Sequence, residues 1–175
     1  MDDIVAYMNQ QRWKEDYKGE RKRHLIHLAQ QSKASEDIAT KIGGMLIYNQ
    51  VLEQFLVDIV DMSILYIKAE IWPEAISLDV ELDKATFGQT IGYFKQFATI
   101  EPNRELILSH LKKYNHKRNQ VVHDLFDIPD LNNLADELNE YAVLADELVS
   151  LLTEYDAAIC DNFQQLSQRV VFQNE

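Results

Sequence analysis

A chain of 175 residues has the length of one domain, and a globule of that size hides about 70% of its unfolded surface without needing a disulfide or metal staple. Hydrophobic residues make up 46% and charged residues 26%, an ordinary water-soluble mix. Seventeen Lys plus Arg against 29 Asp plus Glu leave −12, which argues against a protein that coats nucleic acid by overall charge but leaves room for a local basic site.

Five Gly and three Pro are too few for an all-β sandwich or a Gly-rich nucleotide fold, so the composition points to helices. Cys160 is the only cysteine, which excludes an intrachain disulfide and a thiolate zinc site. The N-terminal MDDIVAYMNQ lacks the charged-then-apolar order of a secretory signal. The most apolar stretch, Met45 to Ile67, is interrupted by Asn49, Gln50, Glu53, Gln54, Asp58 and Asp61, too many polar groups for a membrane span. A cytoplasmic location is the expectation.

Residues 1–34 are polar and mixed in charge, and read as a helical arm ahead of a bundle over 35–175. The run Arg21-Lys22-Arg23 fits a solvated helix face. His24 and His27 can share a face, but two histidines without further ligands make no metal site, and no ExxH motif occurs in the chain. Over 36–71, Tyr48, Leu52, Phe55, Ile59, Met62 and Tyr66 recur at steps of three and four. Ile47, Val51, Leu56, Val60, Ile64 and Ile67 cover a second flank. The pattern is one long helix or two stacked ones, apolar on two sides and therefore central in a bundle. Gly43 and Gly44 mark a kink or a close approach, and Pro73 ends the element.

Ile76, Leu78, Val80 and Leu82 then alternate with polar residues at strand period. A lone strand has no partner in the chain, so this segment reads as an extended crossover. A helix over about 85–98 follows, with Phe87, Ile91, Phe94 and Phe97 apolar. Gly88 and Gly92 either permit a close contact or weaken it by about 1 kcal/mol each. Pro102 favours a helix start after it. After Pro129 and Asp130, the stripe Leu134, Leu138, Tyr141, Ala145, Leu148, Leu152, Tyr155, Ile159, Phe163, Leu166 and Val170 alternates steps of four and three. A long bundle helix explains it better than a coiled-coil seam. The expected fold is all-α: four to five helices, a long C-terminal helix, and at most one short extended segment.

Charge is partitioned along the chain. From Asp124 to Gln168 there are eleven acidic residues and no Lys or Arg. From Leu106 to His123 there are four basic residues, Lys112, Lys113, Lys117 and Arg118, and no acidic ones. His110, His116 and His123 fall in the same window. Such a patch on an acidic protein either focuses a polyanion onto one site or is neutralised by the neighbouring acidic helix.

The most informative stretch is Tyr114-Asn115-His116-Lys117-Arg118-Asn119-Gln120-Val121-Val122-His123. Its Arg-Asn-x3-His spacing is expected by chance in roughly one chain in a hundred of this length, whereas Arg-x4-His alone turns up in about one in six. The specificity therefore sits in the Asn. RNA carries its own nucleophile, the 2′-hydroxyl, so an enzyme need only deprotonate it and stabilise the phosphorane. A histidine titrating near neutrality serves as base or acid, and an arginine offers a planar fork to two phosphate oxygens. An Asn can orient the histidine or donate to the phosphate. None of this requires a metal or another cofactor.

This segment resembles the HEPN superfamily of helical bundles, many of whose members are ribonucleases. The order LIYNQVLEQFL with Glu53 at its middle, then ATFGQTIGYF, then a helix leading into KRNQVVHDLF, is similar to that superfamily over roughly residues 40 to 165. Arg118, Asn119 and His123 occupy the motif positions. The resemblance implies a metal-independent endoribonuclease acting as a homodimer, of the toxin or defence kind, with a protein antitoxin as a further partner. A non-catalytic HEPN-like module binding nucleotide, RNA or protein is the alternative, and a plain structural bundle with an acidic interaction helix is a third. Lys113, His116 and Lys117 are the expected substrate-binding residues.

Geometry raises a difficulty. In one straight helix, Ile107, Leu111, Tyr114, Val121 and Leu125 form the apolar stripe with Arg118 in its middle. Lys112, His116, Asn119 and His123 form a separate polar line, and Arg118 and His123 point about 140° apart. A break at Asn115, with a new helix starting near Lys117, would bring free N–H groups to a phosphate beside Arg118; the sequence favours it slightly. Otherwise Arg118 bends round to the phosphate, a second subunit supplies one residue, or Arg118 is a buried tie to Glu53 or an Asp. His116 is either a second proton carrier or a surface residue, and Asp124 either holds His123 or caps a turn. A C2 dimer setting two basic segments face to face would need a polyanion or the acidic helix between them.

Overall fold

The computed structural model describes residues 19–71, 80–99, 103–124 and 131–172. Nearly all of them are helical and no strand occurs among them, so the fold is an all-α bundle. We label the helices α1 (19–33), α2 (Ile38–Ile71), α3 (Phe87–Phe97), α4 (Arg104–Asp124) and α5 (Leu131–Phe172). Among the described residues no helix is long and apolar enough to cross a membrane.

α2 is a single helix of 34 residues. Both apolar flanks are used: Tyr48, Val51, Leu52, Phe55, Leu56, Ile59, Val60 and Ile64 are buried, because α3, α5 and α1 pack on different sides of it. The two glycines differ. Nothing lies near a Cβ built on Gly43, whereas one on Gly44 would sit 1.7 Å from Ser32 Oγ. Gly44 is therefore the close approach of α2 to α1, and α2 runs through both without ending. The polar arm thus contains a helix docked on the bundle. Ala29 is fully buried, Leu25 and Ile26 pack on the core, and Lys22 pairs with Asp58 at 2.9 Å while lying 3.8 Å above the Phe55 ring. Arg21 and Arg23 remain solvated, as do His24 and His27.

The strand-period segment falls largely outside the described residues. Its described end, Leu82, opens a 3-10 turn, Leu82–Lys84, rather than continuing extended. Thr86 and Gln89 then form a reciprocal capping box that starts α3. Gly88 and Gly92 face open space, so they mediate no close contact. Arg104 joins α3 to α4: its Nε and Nη2 donate to the carbonyls of Ala98 and Lys95, groups left without helical partners at the α3 C-terminus. α4 starts at Arg104, just after Asn103, whose φ of 69° suits an asparagine better than most residues.

α5 carries 42 residues, about 63 Å at 1.5 Å per residue. Its stripe from Leu134 to Ile159 is buried in the bundle, mainly against α2 and α4. It is a bundle helix rather than an unpartnered seam. α2, α3, α4 and α5 form a ring in which each packs on two neighbours, which leaves one arc of α4 in solvent.

Candidate functional site

α4 is a continuous helix through Asn115, which corrects the expected break. Leu111 and Tyr114 before Asn115 and Val121 after it are all buried. The same core face thus holds both halves in register, and tertiary packing overrides the turn preference of one asparagine. No free helix N-terminus arises at Lys117, because amides inside a helix are already bonded.

Arg118 sits on the buried stripe, as the straight-helix geometry requires. It is half-buried, its Nε is enclosed without a hydrogen-bond partner, and its guanidinium carbon lies 5.8 Å from the centre of the Phe87 ring. The alternative of a tie to Glu53 is not realised. Among the described residues Arg118 has no ion pair, and Glu53 is half-buried with neither a hydrogen bond nor an ion pair.

Beside Arg118 lies a polar cluster that the sequence reading missed. The Tyr114 hydroxyl donates to Asn49 Oδ1 at 2.9 Å, and the Tyr141 hydroxyl reaches both that oxygen and the Tyr114 hydroxyl. The two rings are 4.7 Å apart. Burial pushes both phenols above their ordinary range, and the Arg118 charge works against that rise. Tyr48 is raised too, by burial and then by Asp146, whose carboxylate accepts its hydroxyl. Heptad spacing marks tyrosines as core but does not say where their hydroxyls go. The only signal in the sequence was Asn49, a polar residue between two apolar flanks.

The outer side of α4 divides into two arcs. At about 100° per residue, Lys112, His116, Asn119 and the position of His123 fall within an arc about 60° wide, centred about 130° from Arg118. Lys112, His116 and Asn119 are exposed. The side chains of His123 and Asp124 lie outside the described residues, so their pairing does too; as a backbone position, His123 is in the last turn of α4. The second arc faces α5 and holds Leu106, Lys113, Lys117 and Gln120.

Neutralisation by the acidic helix is real but partial. Lys117 is held by Glu137 and Glu140 of α5. Burial alone would lower its ammonium; the two carboxylates more than offset that and leave it above the ordinary lysine range. His110 Nε2 stands 3.5 Å from Glu147. On its other flank α5 turns Asp146 to Lys33 (2.8 Å) and Asn139 to Lys41. Lys112, Lys113 and His116 have no ion pair among the described residues.

The structure therefore brings together Lys112, His116, Asn119 and the position of His123, keeps Lys113 alongside, engages Lys117, and turns Arg118 inward. No group of three or more His, Cys, Asp or Glu side chains with metal-binding geometry occurs among the described residues. Comparison with models of known families, with curated proteins and with solved structures finds no match. The functional reading rests on the residues of this chain.

Proposed function

We propose that this chain is a HEPN-like helical bundle that binds single-stranded RNA along the outer line of α4. Lys112 and His116 meet successive phosphates, Asn119 donates to a phosphate or base, and Lys113 and Lys117 flank the path. The observation that carries this reading is the distribution of unpaired charge. On a chain of net −12, the exposed cations Lys112 and Lys113 and the exposed His116 stay without ion pairs among the described residues, although an acidic helix lies alongside. A cationic strip on an anionic body focuses a polyanion locally and repels it elsewhere.

Metal-independent cleavage is the second reading, favoured by Asn119 and His116 standing on the line that holds position 123. His123 would take the 2′-hydroxyl proton as that oxygen attacks phosphorus, and a second acid would protonate the departing 5′-oxygen. The products are a 2′,3′-cyclic phosphate and a 5′-hydroxyl. Arg118 of the same chain is half-buried on a face about 140° from position 123, so in this reading its fork comes from a partner subunit. That position of Arg118 is the specific reason for placing the binding module first and the toxin or defence ribonuclease second.

Both readings meet one experiment, with labelled single-stranded RNA in excess EDTA. The binding module retains intact RNA, and Arg118→Met binds as the wild type does. The ribonuclease cuts it, and His123→Ala lowers cutting about 10²–10⁴-fold. Mixing His123→Ala with Arg118→Met protein then restores part of the cutting if the site is shared between chains. A folded wild type that neither holds nor cuts RNA overturns both.

A further inference from the structure

We propose that the seam where α1, α2 and α5 meet is a binding site for a small phosphate or phosphomonoester, held by Lys33, Lys41 and Asn139. A narrow cleft opens there, about 220 Å³ including the part open to solvent. Met45 and Leu138 give it an apolar side. Its lining includes two lysines and no Asp or Glu, on a chain of net −12.

Hydrogen-bond capacity says what fits. Lys41 is half-buried and has no ion pair among the described residues. Its Nζ donates to the Lys33 carbonyl at 3.0 Å, which closes the C-terminal end of α1, and to Asn139 Oδ1 at 2.5 Å. Both partners are neutral, so no carboxylate balances the ammonium, and one of its three protons is left over. Because Asn139 Oδ1 faces an ammonium, the Nδ2 amide lies on the opposite branch, and it has no partner among the described residues. Lys33 gives one proton to Asp146 at 2.8 Å and keeps two. The hydroxyls of Ser32 and Tyr48, also in the lining, already donate to the Ala29 carbonyl and to Asp146. The oxygens that face Lys41 are taken and the spare groups are donors, so an oxyanion completes the cleft and a cation does not.

Direction and size narrow the class. The spare donors come from three helices, one each. A tetrahedral oxyanion offers oxygens in three directions, whereas a carboxylate offers two in one plane. Phosphate and its monoesters also carry close to two negative charges near neutral pH. The enclosed part of the cleft admits about one water-sized group, so the oxyanion enters oxygen first and the organic part of an ester stays in solvent. The cleft shares no residue with the outer line of α4, so it stands whether or not RNA binds there. Occupancy ties α1 to α2 and α5, adding to a contact that otherwise rests on Ala29 and on the ion pairs of Lys22 and Lys33.

Nuclear magnetic resonance of the full chain, titrated with inorganic phosphate against chloride at matched ionic strength, tests it. One small oxyanion on such donors should bind at about 1 mM, and the amides of residues 32–33, 41–45 and 138–142 should shift saturably. At ten times that Kd, hydrogen exchange through undocking of α1 should slow about elevenfold. Asn139→Asp keeps an oxygen for Lys41 and replaces the spare amide by a second carboxylate oxygen, so it should stay folded and bind phosphate at least about tenfold more weakly. Lys41→Met should lose binding as well, with helicity by circular dichroism verifying its fold. Glycerol phosphate bound more tightly than inorganic phosphate identifies a monoester as the ligand, and bound more weakly it identifies the free ion; either supports the site. A response that does not saturate, shifts centred on α4, or an Asn139→Asp protein that binds phosphate as the wild type does would each overturn the proposal.

Discussion

Arg118 and Tyr114 stand four residues apart on one face of α4, and together they show what a buried polar group demands. Tyr114 finds Asn49 and Tyr141, whereas the Arg118 Nε finds nothing. Buried groups without partners are uncommon, and here helix register puts that nitrogen beside the core while the residue as a whole stays half-buried. Spacing alone placed Arg118 on the apolar stripe; the phenol cluster beside it was out of reach, because it forms between residues 49, 114 and 141. The cluster has a consequence at high pH. Tyr48, Tyr114 and Tyr141 have raised phenols in the fold, while in the unfolded chain they ionise near 10. A raised folded value keeps its contribution below the unfolded value and loses it as pH climbs toward the folded one. Stability should therefore hold up to about pH 10 and fall above it, by up to about 4 kcal/mol per pH unit for three phenols. In an ultraviolet titration, Tyr48, Tyr114 and Tyr141 should ionise only as the helices melt. Eight phenols titrating together, ahead of unfolding, would count against the buried cluster.

Among the elements, α2 and α5 were legible because long periodic stripes bury what they advertise. Tyr48, Leu52, Phe55 and Ile59 are core, as are Leu134 through Ile159. The fate of Asn115 was harder to read: local turn preference opposed the packing of Leu111, Tyr114 and Val121, and packing won. The sequence shows α1 as a polar helical arm but not its docking, because its contact with the bundle is made by one alanine, one serine, two half-buried aliphatics and the lysines at its ends. Gly44 makes that docking possible. Gly44→Ala would place a methyl against Ser32 and push α1 outward, costing about 1–3 kcal/mol as other overpacked sites do. Gly92→Ala, in open space within α3, should instead stabilise by up to about 1 kcal/mol. Thermal melts of the two variants moving in the same direction would contradict this account of the α1–α2 contact.

At the scale of the whole molecule, charge organises the surface more than fold class does. The composition reports −12 and conceals where the charge goes. α5 spends much of its acid on Lys33, Lys117 and His110, while the outer line of α4 keeps its cations exposed. The partition itself was visible in the sequence, since the window 106–123 holds no acid. Which lysines the acidic helix neutralises was not, because that depends on how two helices are rotated against each other. The central claim is that the Lys112–His116–Asn119 line engages an RNA backbone, and the salt dependence of binding tests it most directly. Fluorescence anisotropy with a single-stranded RNA should give log K falling with log salt at a slope near about −1.4, as the two unpaired lysines Lys112 and Lys113 require at about 0.7 each. Lys112→Gln should flatten that slope by about 0.7, and Lys84→Gln, at an exposed lysine already paired with Glu81, should leave it unchanged. No binding at about 50 mM salt, or a slope indifferent to Lys112, would contradict the account.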